Sequence, residues 1–270
     1  MKLVTLVENT QGHSGCICEH GLCIYAETAK HKLLVDSGQT DALICNARLL
    51  GIDLSAVDTV ILSHGHYDHS GGILPFSQVN SCARIIMHQK APEPHFNADR
   101  YIGIDEDILK LPNVELIGGD TRLDDELFVF SGITGRRCFP QGNLKLKMLA
   151  GGEKVCDDFA HEQCVVISQC GKNILISGCA HNGILNILDR YTELFGSYPD
   201  YVISGFHMMK KDGEHTAEEI AVIEQTAKEL CRLDTVFYSG HCTGEPAFER
   251  MKAIMGDKLR ALHSGDEIIL

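Results

Sequence analysis

The sequence predicts a mixed α/β fold, and three observations carry that prediction. Short apolar runs of strand length fill the first part of the chain, segments with apolar residues at helical spacing follow them, and strands and helices alternate through the second half. Strand patterns run near Lys2 to Val7, Leu22 to Glu27 and Lys32 to Val35. A helix is expected over Asp41 to Leu50, and Thr59-Val60-Ile61-Leu62 then reads as a short buried strand. Further strands are expected at Arg84 to Met87, Leu127 to Ile133, Gln163 to Ser168 and Asn173 to Ile176, before a helix over Ile184 to Phe195. Tyr201 to Ser204 reads as a strand, and Thr216 to Leu233 as a long amphipathic helix. Thr216 is its N-cap, with Glu218 and Glu219 in the first turn beside the positive end of the helix dipole. Thr235 to Tyr238 is another strand. The pattern by itself admits several α/β layouts.

The 270 residues fit a single domain over 1–270, with no Pro/Ser tract, low-complexity run or long like-charge block to mark a linker. The least regular stretch, 89–121, holds Ala91-Pro92-Glu93-Pro94-His95 and mixed charges, which suits an insertion or lid over a site. With 24 Lys and Arg against 37 Asp and Glu, the net charge of −13 repels polyanions, so nucleic acid is not an expected partner. No transmembrane run is present, and the apolar stretch before Glu8-Asn9 is too short for a signal peptide. Twelve cysteines without an export signal argue for a reducing cytoplasm rather than a disulfide framework. The sequence is silent on oligomeric state.

His64-Gly65-His66-Tyr67-Asp68-His69-Ser70 packs three imidazoles and a carboxylate into a single turn at the end of a strand. Neutral imidazole is the commonest protein ligand for transition metals, and a carboxylate beside it favours Zn, Fe or Mn over the all-oxygen shells of Mg and Ca. On a tight turn His64 and His66 project to one side and Asp68 and His69 to another, which suits two adjacent cations. A structural zinc site would use thiolates at C-x-x-C spacing, and these are missing here. Three later residues, His161, Cys179 and His241, also stand at strand ends, where rigid backbone can aim them at one point.

The run Ser63-His64-Gly65-His66-Tyr67-Asp68-His69-Ser70-Gly71-Gly72 resembles the HxHxDH signature of the metallo-β-lactamase superfamily, and Leu33 to Gly38 resembles the strand and D-[ST]-G turn that precede it. Glu19-His20-Gly21-Leu22, Ser177 to Gly183, Gly205-Phe206-His207-Met208 and Gly240 to Gly244 look like one branch. Its members are homologues of the dihydropterin ribofuranosylaminobenzene 5'-phosphate synthase of methanopterin biosynthesis. The resemblance implies a four-layer αββα sandwich holding two divalent metal ions, zinc first, with iron or manganese as alternatives. It places His64, His66 and His161 on the first metal, and Asp68, His69 and His241 with Cys179 on the second. Asp68 also orients and deprotonates water.

Cys179 stands where most of the superfamily has a bridging Asp. A thiolate is softer and could bind the second metal alone. If Cys179 instead packs as a buried thiol, His181 is the substitute ligand or a substrate contact. His207 and His20 are candidate substrate contacts. Lys210 and Lys211 follow His207 and could hold an anionic group, or could be a solvated pair. Asp36 is expected to hold ligand imidazoles or amides by hydrogen bonds rather than to react. His13, His31, His88, His95, His215 and His263 carry no such pattern.

The function expected is a cytoplasmic metal-dependent hydrolase or transferase acting on an anionic small molecule that bears phosphate or pyrophosphate, with a pterin among the candidates. A di-iron redox protein is the alternative, but it would need a flavin domain for which this length leaves no room. A non-catalytic metal-dependent ligand sensor is the third reading.

Overall fold

The structure, a computed structural model, describes residues 1–210 and 214–270, so Lys211 lies outside the described residues. In the first half, β1 (Lys2–Val7), β2 (Cys23–Glu27) and β3 (Lys32–Val35) lead to α1 (Ala42–Leu49), β4 (Thr59–Ile61), α2 (Tyr67–Ser70), α3 (Ile73–Val79) and β5 (Arg84–His88). There follow β6 (His95–Asn97), β7 (Arg100–Tyr101), β8 (Val114–Ile117), β9 (Thr121–Arg122), β10 (Leu127–Phe130), β11 (Leu146–Ala150) and β12 (Glu153–Cys156). The second half runs β13 (Cys164–Gln169), β14 (Lys172–Ser177), α4 (Ile184–Phe195), β15 (Tyr201–Ser204), α5 (Ala217–Cys231), β16 (Val236–Ser239), α6 (Glu245–Met255), β17 (Leu259–Ala261) and β18 (Glu267–Ile269).

The strands form two seven-stranded sheets, β18-β1-β2-β3-β4-β5-β8 and β17-β16-β15-β14-β13-β10-β9. Successive side chains point to opposite faces of each sheet, and the central strands are buried on both. Leu33, Val35, Ile61 and Ile86 of the first sheet join Val129, Val165, Ile176 and Ile203 of the second in one apolar cluster between them. The outer face of the first sheet packs Leu34, Val60 and Ile85 with residues of α1 and α3, such as Leu43 and Phe76. The outer face of the second packs Val166, Leu175 and Phe237 with residues of α4, α5 and α6, such as Tyr191, Ile223 and Met251. The layers are therefore helix, sheet, sheet, helix, the αββα sandwich that the sequence led us to expect.

Local rules account for the element ends. At the start of α5 the Thr216 hydroxyl accepts from the Glu219 amide (3.2 Å), while the Glu219 carboxylate accepts from the Thr216 amide (2.7 Å). Thr216 is the N-cap read from the sequence, and the return bond to Glu219 completes a capping box. Gly196 ends α4 in the left-handed region that closes a helix without a Cβ clash.

One stretch differs from expectation. Of residues 89–121, β8 joins the edge of the first sheet, pairing with β5 in parallel. Only β6 and β7 leave the sandwich, and they pair with β11 and β12 in a separate four-stranded sheet, β12-β11-β6-β7, hereafter the cap. All twelve cysteines are free thiols, and among the described residues no helix is long and apolar enough to cross a membrane.

The site follows from topology. In both sheets the central strands β3-β4-β5 and β14-β15-β16-β17 run parallel, and side-chain-rich loops leave their carboxyl ends. Asp36 follows β3, His64 follows β4, Cys179 follows β14, His207 follows β15 and His241 follows β16. Carboxyl ends of parallel strands are where open α/β sheets gather ligands.

Candidate metal centre

Asp36 organises the first half of the site. It is fully buried and has a positive φ of 62°, which turns the chain sharply out of β3. One carboxylate oxygen accepts from the Ser63 amide (2.7 Å). The other accepts from the Ser63 hydroxyl (2.7 Å) and from His69 Nδ1 (2.6 Å). Because the Ser63 proton points to Asp36, Ser63 Oγ is left to accept from His64 Nδ1, 2.8 Å away. This one carboxylate therefore fixes the protonated nitrogen of two imidazoles and turns both Nε2 lone pairs inward. Gly178 passes so close that a Cβ there would stand 2.1 Å from Ser63 Oγ, and glycine is what lets the two sheets' loops meet.

The second half repeats the device with amides. Asn143 donates to the His181 carbonyl (2.6 Å), so its Oδ1 accepts from His181 Nδ1 (2.9 Å). Asn9 donates to the His241 carbonyl (3.3 Å), and its Oδ1 accepts from His241 Nδ1 (2.9 Å). The strained turns that carry these rings are held by buried acids. Glu162 accepts from the His181 and Asn182 amides (2.6 and 2.9 Å), and Glu8 accepts from the His241 amide (2.5 Å), where φ is 49°. Asn9, Asn143, Glu8 and Glu162 were not singled out by sequence reasoning.

Four Nε2 atoms are thus pushed together. His69 Nε2 lies 3.1 Å from His241 Nε2, and His64 Nε2 lies 3.3 Å from His181 Nε2. Lone pairs at such separations repel unless an acid proton or a cation lies between them, so the donor set fits a metal on its own chemistry. Cys179 Sγ is 3.2 Å from His69 Nε2 and belongs to two close groupings, one with His64 and His181 and one with His69 and His241. Asp68 Oδ2 lies 3.5 Å from His241 Nε2 and 3.3 Å from His20 Nε2.

The electrostatics agree with this crowding. Burial, reinforced by neighbouring imidazoles, drives His64, His66 and His181 well below the ordinary histidine range. Burial also opposes charge on His69, but Asp36 and Asp68 outweigh it and bring this imidazole up to about 9. One positive charge is thus favoured at the point where the groupings meet. Burial holds the Cys179 thiol high. For Cys242 burial also acts upward, but contacts with Cys179 and His207 bring it down to about 6.

The remaining candidates are placed as follows. His66 is buried against both His64 and His181, with ring centroids 4.6 and 4.8 Å apart. His161 stands 5.4 Å from the His66 ring, but its Nδ1 accepts from the Gly65 amide (2.9 Å), so its Nε2 carries the proton and faces Asp157 at 3.5 Å. His161 is grouped closely with His66, His95 and Asp157. The His207 ring lies tilted over His181 at 4.1 Å between centroids and groups closely with Cys179 and Cys242. Lys210 forms an ion pair with Glu219 (2.7 Å), which uses the charge expected to await an anion.

Above these groups lies a cavity of about 330 Å³ with Asp68, Cys179 and His181 among its lining residues. Arg100 from the cap and Lys145 just before β11 line it too, and neither forms an ion pair among the described residues. Arg100 rests over the Tyr67 ring at 4.9 Å. Sequence reasoning missed both cations, which carry no motif.

A family model described as the metallo-beta-lactamase superfamily matches residues 17–136. The 7,8-dihydropterin-6-methyl-4-(beta-D-ribofuranosyl)-aminobenzene-5'-phosphate synthase of Methanocaldococcus jannaschii is 27% identical over 286 residues, covering 98% of this chain and 95% of its own. The crystal structure of Tm1679, described as a metal-dependent hydrolase of the beta-lactamase superfamily, superposes with a TM-score of 0.84 at 29% identity, covering 100% of this chain and 99% of that one. A diphosphatase from the PhnP family shares the fold, with a TM-score of 0.53 at 14% identity over 100% of this chain and 97% of its own.

Proposed function

We propose that this chain, which a metallo-beta-lactamase superfamily model matches over residues 17–136, is a metal-dependent hydrolase or transferase for phosphate- or pyrophosphate-bearing small molecules, with its chemistry where the ligand groups meet. The observation that carries this reading is the pair of ligand groups sharing Cys179 Sγ beneath a cavity lined by Arg100 and Lys145. His64 and His181 with Cys179 would hold one ion, with His66 beside them. His69, His241 and Asp68 with the same sulfur would hold the other. Imidazole and thiolate donors favour zinc, with iron or manganese next. A pair of divalent ions supplies Lewis acidity to phosphoryl oxygens and acidifies water.

The chain's own groups do the rest. Asp68 accepts the proton of the attacking water, whose oxygen bonds to phosphorus as the ester or anhydride oxygen leaves. His20, 3.3 Å from Asp68, keeps that carboxylate aimed, and His207, which lines the cavity, is a contact for the departing group. Arg100 and Lys145 neutralise the substrate's outer anion in a protein of net charge −13. The name of the Methanocaldococcus relative makes a pterin the first ring system to try, and the free thiols suit a reducing cytoplasm.

The test is turnover of a panel of phosphomonoesters, phosphodiesters and pyrophosphates by chelator-stripped protein reloaded with Zn, Mn or Fe(II). Metal-dependent hydrolysis of at least one class is expected, and silence across the panel with every metal would overturn the reading. Arg100→Ala should raise KM for the anionic substrate about tenfold with kcat kept, the mark of a uniform binding contact. An unchanged KM would remove Arg100 from the substrate.

A further inference from the structure

The buried Cys242 thiol takes no part in the chemistry proposed above. Cys242 follows β16 and Cys179 follows β14, and β15 runs between these two parallel strands. Strands twice removed stand about 9.5 Å apart, beyond the roughly 4.4–6.8 Å between the Cα atoms of a disulfide. Here the loops lean together over Gly205, directly after β15, whose amide donates to the Gly178 carbonyl (2.8 Å). A Cβ at Gly205 would stand 2.4 Å from Cys242 Sγ, so glycine leaves the room in which the two sulfurs meet. Both thiols are free, and their Sγ atoms lie within 4.8 Å of one another. The Cys242 thiol donates to the Cys179 carbonyl (3.5 Å) and its sulfur accepts from the His207 amide (3.3 Å), which holds it over its neighbour. Both residues line the cavity, so a small solute that reaches the ligand groups reaches the sulfurs as well.

We propose that Cys179 and Cys242 are a peroxide-sensitive switch on the metal centre proposed above, on which this inference depends: oxidation joins them in a disulfide and withdraws the sulfur that the two ligand groups share. A turn about the Cα–Cβ bonds and a small loop shift bring the sulfurs to the roughly 2.05 Å of the bond. The oxidant is hydrogen peroxide. Cys242, which binds no ion in the proposed centre, attacks it; the O–O bond breaks, the sulfur keeps one oxygen as sulfenic acid and the other leaves as water. The Cys179 sulfur then displaces that hydroxyl, which departs with the Cys179 proton as a second water while the Sγ–Sγ bond forms. Two electrons pass from the sulfurs to the peroxide oxygens. A disulfide sulfur is no longer an anionic donor, so the cation it held is released. The bond also spares Cys179 from sulfinic acid, which ordinary thiols do not reverse, and a dithiol reductant restores both thiols.

Zinc-loaded, full-length protein treated with hydrogen peroxide, alkylated and digested tests this by peptide mass, with released zinc read by a chromophoric chelator. Wild type is expected to yield a peptide pair joined through Cys179 and Cys242, lighter by two hydrogens than its reduced parts, and to lose one equivalent of zinc. A dithiol reductant with added zinc should reverse both changes. Cys242→Ser keeps a hydroxyl to donate to the Cys179 carbonyl and to accept from the His207 amide. It should bind as much zinc as wild type and release it at least about tenfold more slowly, with Cys179 recovered as sulfinic acid instead of a crosslink. The crosslink in wild type is scored whether or not the variant folds. Zinc lost to peroxide with no Cys179–Cys242 pair formed, or zinc lost from Cys242→Ser as fast as from wild type, would overturn the switch. Failure of the metal centre reads differently: protein that takes up no zinc before peroxide is added overturns the centre, and its switch with it, whether or not the sulfurs join.

Discussion

Cys179→Ser is expected to cost one equivalent of bound metal and at least about a hundredfold in turnover. The sulfur is the atom that the two ligand groups share, 3.2 Å from His69 Nε2 and within reach of His64, His181 and His241. Serine is close in volume and the site is buried, so packing is kept while the anionic donor is lost; a hydroxyl stays protonated at neutral pH where a metal-bound thiol does not. Losing one of two ions forfeits several kcal/mol of charge stabilisation on the reacting oxygens, and each 1.4 kcal/mol is about tenfold in rate. Cys179→Asp supplies the carboxylate typical of this position and should recover metal content better than serine does. Elemental analysis and steady-state rates on the three proteins decide the matter, and equal metal and equal rates would place the thiol outside the centre.

The parts of this centre that could be read from sequence are those coded over a few residues. The HxHxDH turn is local, and so is the Thr216–Glu219 cap. The short apolar runs that form the strands are equally local and give the sandwich its interior. Asp36 was readable because a carboxylate at the end of a buried strand has few tasks, and the structure puts it on Ser63 and His69.

What stayed hidden depends on partners far along the chain. Asn9 meets His241, Asn143 meets His181 and Glu8 meets the His241 amide, and no spacing rule links such pairs. His95 looked like an ordinary histidine in an irregular stretch because the strand that orders it, β11, lies beyond three intervening strands of the main sheets. His161 satisfies the strand-end criterion for a ligand, and the Gly65 amide that takes its Nδ1 is visible only in three dimensions. Lys210 was weighed without Glu219, which α5 brings against it.

Asp68→Ala should reduce kcat by about a thousandfold or more, with a smaller change in KM. Two losses combine. A positioned general base contributes roughly a hundred- to ten-thousandfold, and the same carboxylate stands 3.5 Å from His241 Nε2 and 3.9 Å from His69 Nε2, where it would also ligate. The two roles separate by rescue. Truncation to alanine opens space for a small acid beside His20, so added formate should restore part of kcat if proton acceptance is the larger role. Asp68→Asn fills the same space and should not respond. Metal content measured on the same samples gives the ligand share, with loss of one equivalent in both variants if Asp68 holds the second ion. Full metal and near-normal kcat in Asp68→Ala would mean that the carboxylate is only a partner for His20, and the proton would then have to leave by another group on the cavity floor.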